Sequence, residues 1–352
     1  MQRWTDLAQV PRDFGPSVVT IGNFDGVHRG HVGVLTRMVA DARAAGAASV
    51  AVTFTPHPAQ VHRPDVAPPL LTGDVDRLEL LEQTGLDAVL LLTYTLDFAQ
   101  QTPQEFVRRY LVQGLHARTV VVGRDVRFGR ANAGDLATMV ELGRQYGYDV
   151  EVIEDVAPTA AEDGSTGAEL AALADPLRRR WSSTWVRELL VAGDVRQAAR
   201  VLGRPHRMRG EVVHGDARGR ELGFPTANLS PDATGMVPGD GVYAGWLRRP
   251  GRPAGSADAV LPAAISVGTN PTFAGAARRV EAYVLDRTDL DLYGEQVVLE
   301  FVELLRPTLR FDSVDELIER MHRDVAGVRE VLVGAAPAHD DQPGPAPRSP
   351  RQ

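Results

Sequence analysis

Hydrophobic positions in the first half of the chain alternate between short β-type runs and longer stretches with helical spacing. Such alternation is typical of a parallel sheet with helices on both faces, in which ligands sit at the carboxyl ends of the strands. Polar or glycine-containing segments follow the first, second and fourth predicted strands, so candidate site residues should lie there. The pattern predicts strands at residues 17–24, 49–54, 88–92, 119–123 and 149–155, and helices at residues 32–45, 75–84, 103–113 and 134–146.

Two more helices come before the pattern changes to strands near residue 204. Two helices are predicted at residues 184–192 and 195–202, and Gly203-Arg204-Pro205 ends the second. Strands without intervening helices come next, and they predict an antiparallel barrel or sandwich. These apolar runs, separated by Gly, Pro, Asn and Asp, lie at residues 208–213, 241–247, 263–267, 280–285 and 296–305.

A last helix is predicted at residues 313–332, where apolar side chains recur at helical spacing and would pack on the barrel. These side chains are Val314, Leu317, Ile318, Met321, Val325, Val328 and Leu332. Two segments lack such periodicity. Residues 157–175 are predicted to be a mobile surface insertion, and residues 334–352 a disordered tail.

Chain length favours two domains, since 352 residues with 43% hydrophobic side chains exceed what one core usually organises. The predicted fold class is α/β plus all-β: a parallel sheet, then an antiparallel β-barrel with a terminal helix. We divide the chain into a first domain at residues 1–190, a linker helix at 191–203, a second domain at 204–333 and the tail at 334–352.

The amino-acid composition excludes several kinds of site and partner. Cysteine is absent, which excludes disulfides and Cys-based zinc sites and favours a reducing compartment, so we expect a cytoplasmic protein. No stretch approaches the roughly 20 apolar residues of a membrane span, and a net charge of −8 argues against nucleic-acid binding. Lysine is also absent, which excludes the Walker A loop. Small-molecule partners are therefore expected, and arginine, histidine, backbone N–H groups or metal must hold any phosphate.

The segment after the first strand, residues 22–31, reads Gly-Asn-Phe-Asp-Gly-Val-His-Arg-Gly-His. Its glycines permit a tight turn and close approach to a ligand, and the following helix presents unpaired N–H groups to an anion. His28 and His31 lie three residues apart, so both could donate hydrogen bonds to a phosphoryl transition state. The alternatives are a helix-capping pair or a metal site. A third metal ligand is not apparent in the sequence, and capping would not explain Asp25 and the glycines.

Residues 182–187 read Ser-Ser-Thr-Trp-Val-Arg at the start of a predicted helix. Ser183, Thr184 and Arg187 could hold a polyphosphate through helix N–H groups and a guanidinium group. Taken alone, the segment is an ordinary helix cap.

Together these motifs resemble the nucleotidyltransferase superfamily, and more narrowly the FMN adenylyltransferase module of bacterial bifunctional FAD synthetases. The family fold that this implies is a Rossmann-like nucleotidyltransferase sheet. The chain departs from the family pattern at Val126, at Trp181 and in the long insertion. Four segments carry the resemblance over roughly residues 15–190: residues 22–31, Thr-Phe-Thr-Pro-His-Pro at 53–58, Val-Gly-Arg-Asp-Val-Arg-Phe-Gly at 122–129, and residues 182–187.

The resemblance implies that the FMN phosphate attacks the α-phosphorus of ATP, which releases pyrophosphate and gives FAD, with Mg²⁺ as cofactor. His28 and His31 would stabilise the transition state, and Arg187 and Ser183 the leaving pyrophosphate. Phe54 and Phe128 would bound the FMN pocket, although either could simply be core. The implied ATP-binding residues are Gly22, Phe24, Asp25, Gly26, Asp125, Ser183 and Thr184, and the implied flavin-binding residues are Phe54, Pro56, His57 and Phe128.

The second domain offers a strand followed by a glycine-punctuated loop over residues 210–228. Thr226 and Asn228 carry neutral oxygen ligands that suit Mg²⁺ bound jointly with ATP phosphates. By themselves these residues would be an ordinary turn. Glu281, in the apolar run at 280–285, could be aimed into a cleft to accept a hydroxyl proton. It could also be an outward strand residue, and alternation alone does not decide.

Residues 204–333 resemble bacterial riboflavin kinase. The resemblance rests on Pro-Thr-Ala-Asn at 225–228, together with residues 266–273, 280–283 and 292–295. It implies transfer of the ATP γ-phosphate to the riboflavin 5′-hydroxyl, with Glu281 as general base and Thr226 and Asn228 as metal ligands. The implied nucleotide-binding residues are Gly215, Gly219, Arg220, Gly223 and Pro225.

The sequence is therefore interpreted as a bifunctional enzyme that makes FMN and then FAD, with riboflavin, FMN and ATP as partners. Two other hypotheses stay open. One is a nucleotidyltransferase for another phosphorylated acceptor, since fold and the histidine motif do not select an acceptor. The other is a flavin-binding regulator that has lost catalysis. The motifs of the second domain argue against a different acceptor, and the presence of all the implied catalytic residues argues against a regulator. The sequence alone does not determine the oligomeric state.

Overall fold

The computed structural model describes residues 1–153, 180–215, 222–272 and 275–334. Within the described residues the chain forms two compact units, one made of Met1–Pro68 with residues 74–182 and the other of Pro69–Gly73 with residues 183–334. The predicted insertion at 157–175 and residues 335–352 of the predicted tail lie outside the described residues. The domain boundaries drawn from the sequence stay predictions.

The first unit contains a six-stranded sheet in the order β1-β4-β3-β2-β5-β6, and every neighbouring pair is parallel. This confirms the predicted α/β class. β1 was not predicted, because its three residues are too few to show a periodicity. The strands are β1 (Gln2–Trp4), β2 (Ser17–Ile21), β3 (Ala48–Thr55), β4 (Ala88–Thr93), β5 (Ala117–Gly123) and β6 (Asp149–Ile153).

Helices connect these strands. The segment predicted as one helix at 103–113 begins as α-helix and continues as π-helix over Val107–Gly114, a change that a search for a 3.6-residue period does not detect. α2 is five residues long and was not predicted. The α-helices are α1 (Arg29–Ala44), α2 (Pro58–His62), α3 (Asp74–Glu82), α4 (Pro103–Phe106) and α5 (Leu136–Tyr146).

Consecutive residues of the central strands enter opposite cores, as a sheet covered on both faces requires. Val19 of β2 packs with Leu111 and Met139 on one face. Its neighbour Val18 packs on the other face, with Leu35 of α1 and other side chains of α1 and α3. Both faces of the strands are therefore taken up by packing, which leaves the strand ends for chemistry.

The second unit begins with two helices and continues into a closed barrel in the strand order β10-β11-β8-β7-β12-β9. The barrel pairs are antiparallel, so the barrel prediction is confirmed and the sandwich alternative is wrong. The elements are α6 (Ser183–Val191), α7 (Val195–Leu202), β7 (His206–Val213), β8 (Thr226–Leu229), β9 (Gly241–Arg248), β10 (Val260–Thr272), β11 (Gly275–Val284), β12 (Gln296–Pro307) and α8 (Val314–Val333).

β8 corrects the sequence analysis, which placed Thr226 and Asn228 in a loop. The strand pairs with β7 and β11, and its burial alternates, with Ala227 and Leu229 buried and the two polar residues half-buried. A four-residue strand that follows Pro225 carries too little pattern to predict. The consequence is that Thr226 and Asn228 share one face of the barrel wall.

The terminal helix α8 packs on the outside of the barrel. Val325, Val328 and Leu332 are buried against a cluster that includes Trp246 and Tyr283. Val314 was predicted to pack there, but it opens the helix and is 57% exposed, so that part of the prediction is wrong. None of the described helices combines the length and apolarity that crossing a membrane requires.

Gly245 of β9 provides a test of barrel packing. A Cβ atom at this position would collide with the Glu300 carbonyl oxygen and approach Ile265 Cδ1 to 2.6 Å. Gly245→Ala should therefore lower the free energy of unfolding by about 1–3 kcal/mol, measured by urea denaturation. Gly251→Ala is the control, because no atom lies within 4 Å of its Cβ position. Equal stabilities of the two variants would contradict the packing described.

Candidate active sites

The strand order of the first unit reverses between β2 and β5, which are neighbours in the sheet but far apart in the sequence. At such a switch point the connecting helices leave toward opposite faces, and a crevice opens beyond the carboxyl ends of the two strands. The segment after β2 holds the candidate residues Gly22–His31, and the segment after β5 holds Asp125. The fold therefore brings two of the predicted site segments to one crevice.

The loop after β2 has an unusual backbone that its own packing fixes. Phe24 and Val27 have φ angles of 49° and 37°, a region that side-chain-bearing residues rarely adopt, and Gly26 has φ 80°. Both side chains are buried in the core beneath α1, which offsets the strain. A Cβ atom on Gly22 would lie 2.9 Å from the Phe24 ring, so only glycine fits there. The loop is therefore held in one shape before any ligand binds.

His28 and His31 form a stacked pair at the start of α1. Their ring centroids are 3.7 Å apart with planes inclined by 20°, and the Phe24 ring meets His31 edge-on at 5.3 Å. His28 is the N-cap of α1, and its Nδ1 accepts a hydrogen bond of 3.4 Å from the His31 N–H. The capping alternative thus describes His28 correctly, while the ring of His31 lies beside it at the same helix terminus.

His31 is held in its neutral form. Burial lowers its pKa well below the ordinary 6.5, and the nearby charge of His28 lowers it further. Its Nδ1 atom is buried and has no hydrogen-bond partner among the described residues. The described part of the protein therefore supplies no hydrogen bond to this nitrogen of the imidazole.

Arg77 of α3 is a residue that the sequence analysis missed. It is 3% exposed, and its Nη1 and Nη2 atoms donate hydrogen bonds of 2.9 and 2.8 Å to the carbonyl oxygens of Asn23 and Phe54. Burial lowers the pKa of Arg77, and the carboxylates of Asp74 and Asp25 oppose that shift. The only sequence signal is a cation beside the apolar positions of a predicted helix.

The two candidate flavin-binding phenylalanines belong to one aromatic cluster. Phe54 meets Phe98 at 5.8 Å between centroids, Phe98 meets Phe106 at 6.3 Å, and Phe106 meets Phe128 at 6.2 Å. Phe128 is 7% exposed, so it packs as a core residue, whereas Phe54 is half-buried beside Tyr94. The flavin-binding roles of both stay predictions.

The other candidates of the first unit lie in turns. His57 caps α2, where its Nδ1 accepts a 3.1 Å hydrogen bond from the Ala59 N–H. Pro56 precedes it directly after β3. Asp125 is exposed in the turn after β5, where a Cβ atom on Gly123 would lie 3.1 Å from its Oδ1.

Ser183, Thr184 and Arg187 lie in α6, which belongs to the second unit. Arg187 donates a hydrogen bond of 2.8 Å from Nε to the carbonyl oxygen of Pro69, a residue of the same unit. The convergence of these three residues with the histidine pair stays a prediction.

In the barrel, Glu281 and the two candidate metal ligands lie together. Asn228 of β8 is the direct cross-strand partner of Glu281 of β11. Thr226 donates a hydrogen bond of 3.2 Å from its hydroxyl to Glu281 Oε2. Val280 and Ala282, which flank Glu281, are buried, so the carboxylate lies on the outer face of the barrel. Glu281 is therefore an outward strand residue and a member of this polar group at the same time.

Two glycines and a pocket lie beside this polar group. A Cβ atom on Gly215 would lie 2.6 Å from Asn228 Nδ2, and Gly223 has φ 84°, so both positions favour glycine. Pro225 and Thr226 line a pocket whose walls also include Val212, Arg287, Leu292 and Tyr293. Gly219 and Arg220 lie outside the described residues.

Two further features shape this pocket. Tyr293 stacks on His214, with ring centroids 3.8 Å apart. Hydrogen bonds and ion pairs to Asp289 and Asp258 raise the pKa of Arg287, so its cation persists at the pocket wall. The pocket thus joins apolar and aromatic surfaces to a fixed positive charge.

The polar group in the barrel has the ligand type that Mg²⁺ prefers, since it offers hydroxyl, amide and carboxylate oxygens. The described residues contain no cluster of three or more His, Asp or Glu side chains able to hold a metal ion. A cation at Thr226 and Asn228 would therefore need further oxygens, such as those of a nucleotide phosphate.

The neutral state of His31 has a consequence for stability. The folded state binds fewer protons at this site than the unfolded state near pH 6, so stability falls as pH drops below the ordinary His31 pKa of 6.5. Between pH 7.5 and 5.5, the free energy of unfolding should fall more for the wild type than for His31→Gln, measured by urea denaturation. Equal losses in the two proteins would show that His31 is not held neutral.

Known proteins match both halves of the chain. The FAD synthetase family model matches residues 10–166, and the riboflavin kinase family model matches residues 202–332. A bifunctional riboflavin kinase/FMN adenylyltransferase of Escherichia coli strain K12 is 34% identical, over 95% of this chain and 97% of its own. The Pseudomonas fluorescens relative of the same name is 35% identical, over 91% and 94% of the two chains.

A solved structure also matches nearly the whole chain. The crystal structure of a protein described as a macrolide-efflux protein from Streptococcus pneumoniae has a TM-score of 0.76 and 29% identity, and the match covers 93% of this chain and 98% of the other. The two family matches and the identities above settle the classification. The chain belongs to the family of bifunctional riboflavin kinase/FMN adenylyltransferases.

Proposed function

We propose that this protein phosphorylates riboflavin to FMN and then adenylylates FMN to FAD, with ATP as co-substrate of both reactions. One observation carries the proposal: each family region contains its own group of side chains suited to phosphate chemistry. These groups are His28 and His31 at the switch-point crevice, and Thr226, Asn228 and Glu281 on the barrel.

In the kinase reaction, Glu281 is the general base. Its carboxylate accepts the proton of the riboflavin 5′-hydroxyl, the hydroxyl oxygen forms a bond to the γ-phosphorus of ATP, and the bond from that phosphorus to ADP breaks. The hydrogen bond from Thr226 orients the carboxylate. The adjacent pocket holds the nucleotide. The residues proposed to contact the nucleotide are Gly215, Gly219, Arg220, Gly223 and Pro225.

Mg²⁺ bound with ATP would take oxygens of Thr226 and Asn228. The hydrogen bond of 3.2 Å from the Thr226 hydroxyl to Glu281 and the cross-strand pairing of Asn228 with Glu281 support this, because they place all three polar side chains on one face of the barrel. The ion supplies neutralisation of the phosphate charge. The protein side chains hold that ion, the nucleotide and the base in one orientation.

In the adenylylation, a phosphate oxygen of FMN forms a bond to the α-phosphorus of ATP, and the bond to pyrophosphate breaks. The N–H groups at the start of α1 and the two imidazoles donate hydrogen bonds to the charge that grows on the phosphate oxygens. A neutral His31 donates without adding a positive charge beside the His28 ring. Ser183, Thr184 and Arg187 hold the leaving pyrophosphate.

The remaining site assignments are part of the same proposal. Gly22, Phe24, Asp25, Gly26 and Asp125 contact ATP in the first site. Phe54, Pro56, His57 and Phe128 bound the flavin. The proposed partners are riboflavin, FMN and ATP, and neither nucleic acid nor a membrane is a proposed partner. The absence of cysteine supports a cytoplasmic location.

The products test the proposed function directly. The purified protein, incubated with riboflavin, ATP and Mg²⁺, should form FMN first and FAD later, as followed by chromatographic separation of the flavins. FMN alone would remove the adenylylation, and neither product would favour a flavin-binding regulator. Adenylylation of a different phosphorylated acceptor in place of FMN would support the other nucleotidyltransferase hypothesis.

The two reactions should also be separable. His28→Ala should abolish FAD formation and leave FMN formation intact, because His28 belongs to the first unit and the residues proposed for the kinase reaction belong to the second. Glu281→Ala should lower FMN formation by about 10²–10⁴-fold, the usual contribution of a general base, yet still convert added FMN to FAD. Initial rates of each half-reaction give the measurement.

A matched control accompanies the Glu281→Ala variant. Glu319→Gln removes an exposed carboxylate of the same unit, which forms an ion pair with Arg323 on the helix surface, and should leave both rates unchanged. Loss of both activities from either His28→Ala or Glu281→Ala would contradict a model with two separate sites.

A further inference from the structure

Arg77 joins two loops that carry different parts of the first candidate site. Its guanidinium donates to the carbonyl oxygen of Asn23, in the segment after β2, and to that of Phe54, at the end of β3. We call residues 22–28 the nucleotide loop and residues 54–57 the flavin loop, after their proposed ligands. The described contacts of one side chain therefore fix the distance between the two loops.

The guanidinium is itself held in place. Asp74, one turn earlier in α3, accepts a 2.6 Å hydrogen bond from Nη2. The other carboxylate oxygen of Asp74 accepts a 2.5 Å hydrogen bond from the Thr55 hydroxyl, in the flavin loop. Arg77 is thus fixed from both sides, and Asp74 adds a second connection to the same loop.

The chemistry of the side chain suits this role better than that of lysine. A guanidinium presents five N–H donors in a flat fork, so it can serve two carbonyls and a carboxylate that lie in different directions. An ammonium group is a point charge and could not span them. Arg77 also lies close enough to the buried Asp25 for their charges to interact, and this attraction opposes the fall in the Arg77 pKa that burial causes.

Each loop has other supports, so Arg77 is not needed to form either loop. Phe24 and Val27 anchor the nucleotide loop in the core beneath α1. The flavin loop begins on β3, which pairs with β2 and β4 on both sides. Removing Arg77 would therefore loosen the spacing between the loops more than the fold of either one.

We propose that Arg77 is a positioning residue for the adenylylation, one that sets the nucleotide loop and the flavin loop at the spacing that brings FMN and ATP together. It touches neither reacting atoms nor substrate and acts through the Asn23 and Phe54 carbonyls. This inference rests on the proposed function of the first site. It predicts that one substitution weakens the use of both substrates at once.

The test is a kinetic comparison in the full-length protein. Arg77→Met should raise the KM for FMN and the KM for ATP in FAD formation by about tenfold each, because two loops at the wrong spacing would bind both substrates more weakly. Arg77→Lys, which keeps the ion pair with Asp74, should raise both KM values by a smaller factor. FMN formation from riboflavin should stay within twofold of the wild type in both variants.

Two controls separate positioning from loss of structure. Arg37→Met removes a guanidinium that is 65% exposed from the same unit and should change neither KM. A purely structural role would reduce the active fraction, so kcat would fall while both KM values stayed unchanged. That result, or a rise in only one KM, would overturn the proposal. Should Arg77→Met fail to fold, the same criteria applied to Arg77→Lys decide.

Binding measurements keep the inference distinct from the proposed function. Titration calorimetry of wild type and Arg77→Met with FMN, with ATP, and with a non-hydrolysable ATP analogue plus FMN should show weaker binding of both ligands in the variant. A wild type that forms no FAD would refute the proposed activity. In that case, unchanged dissociation constants in the variant would overturn the role of Arg77, and a joint loss of affinity would support it.

Discussion

The first unit depends on the reversal of strand order between β2 and β5. Because both faces of the sheet are covered by helices, the strand ends are the places where polar groups can gather without disrupting a core. The reversal leaves the ends of β2 and β5 side by side with no helix crossing between them. The loop with the histidine pair and the turn with Asp125 meet there, and the adjacent β3 adds the segment around Phe54. Every candidate residue of this unit follows from that topology.

The strand reversal also explains why the loop after β2 tolerates its backbone. The chain passes from β2 to α1 through only seven residues, and three of them, Phe24, Gly26 and Val27, have positive φ angles. Burial of the two side chains in the core compensates for the strain. Core packing therefore makes this loop rigid, and the rigid loop holds the imidazole stack at the helix terminus in place.

Much of the fold could be predicted from the sequence because its elements carry strong local patterns. The strand at 88–92 is an unbroken apolar run, and the helix predicted at 195–202 has the same bounds as α7. β8 escaped prediction because only its pairing with β7 and β11 makes it a strand, and pairing is not a local property. The motifs located the candidate groups, but Arg77 belongs to none of these motifs. Its segment of α3 is rich in acidic residues and is typical of a surface helix, and its burial arises only when two distant loops close over it.

The alternation of polar and apolar side chains in the barrel wall determines what a shift in strand register would do. Thr226, Asn228 and Glu281 alternate along their strands with Ala227 and Ala282, which fill the interior. A slip of one residue between β8 and β11 would turn every side chain to the opposite face, burying three polar groups and exposing the small apolar ones. Closure of the barrel forbids such a slip on its own, because each strand is bound on both edges. A misaligned barrel would therefore lose stability together with the outer face that carries its polar group.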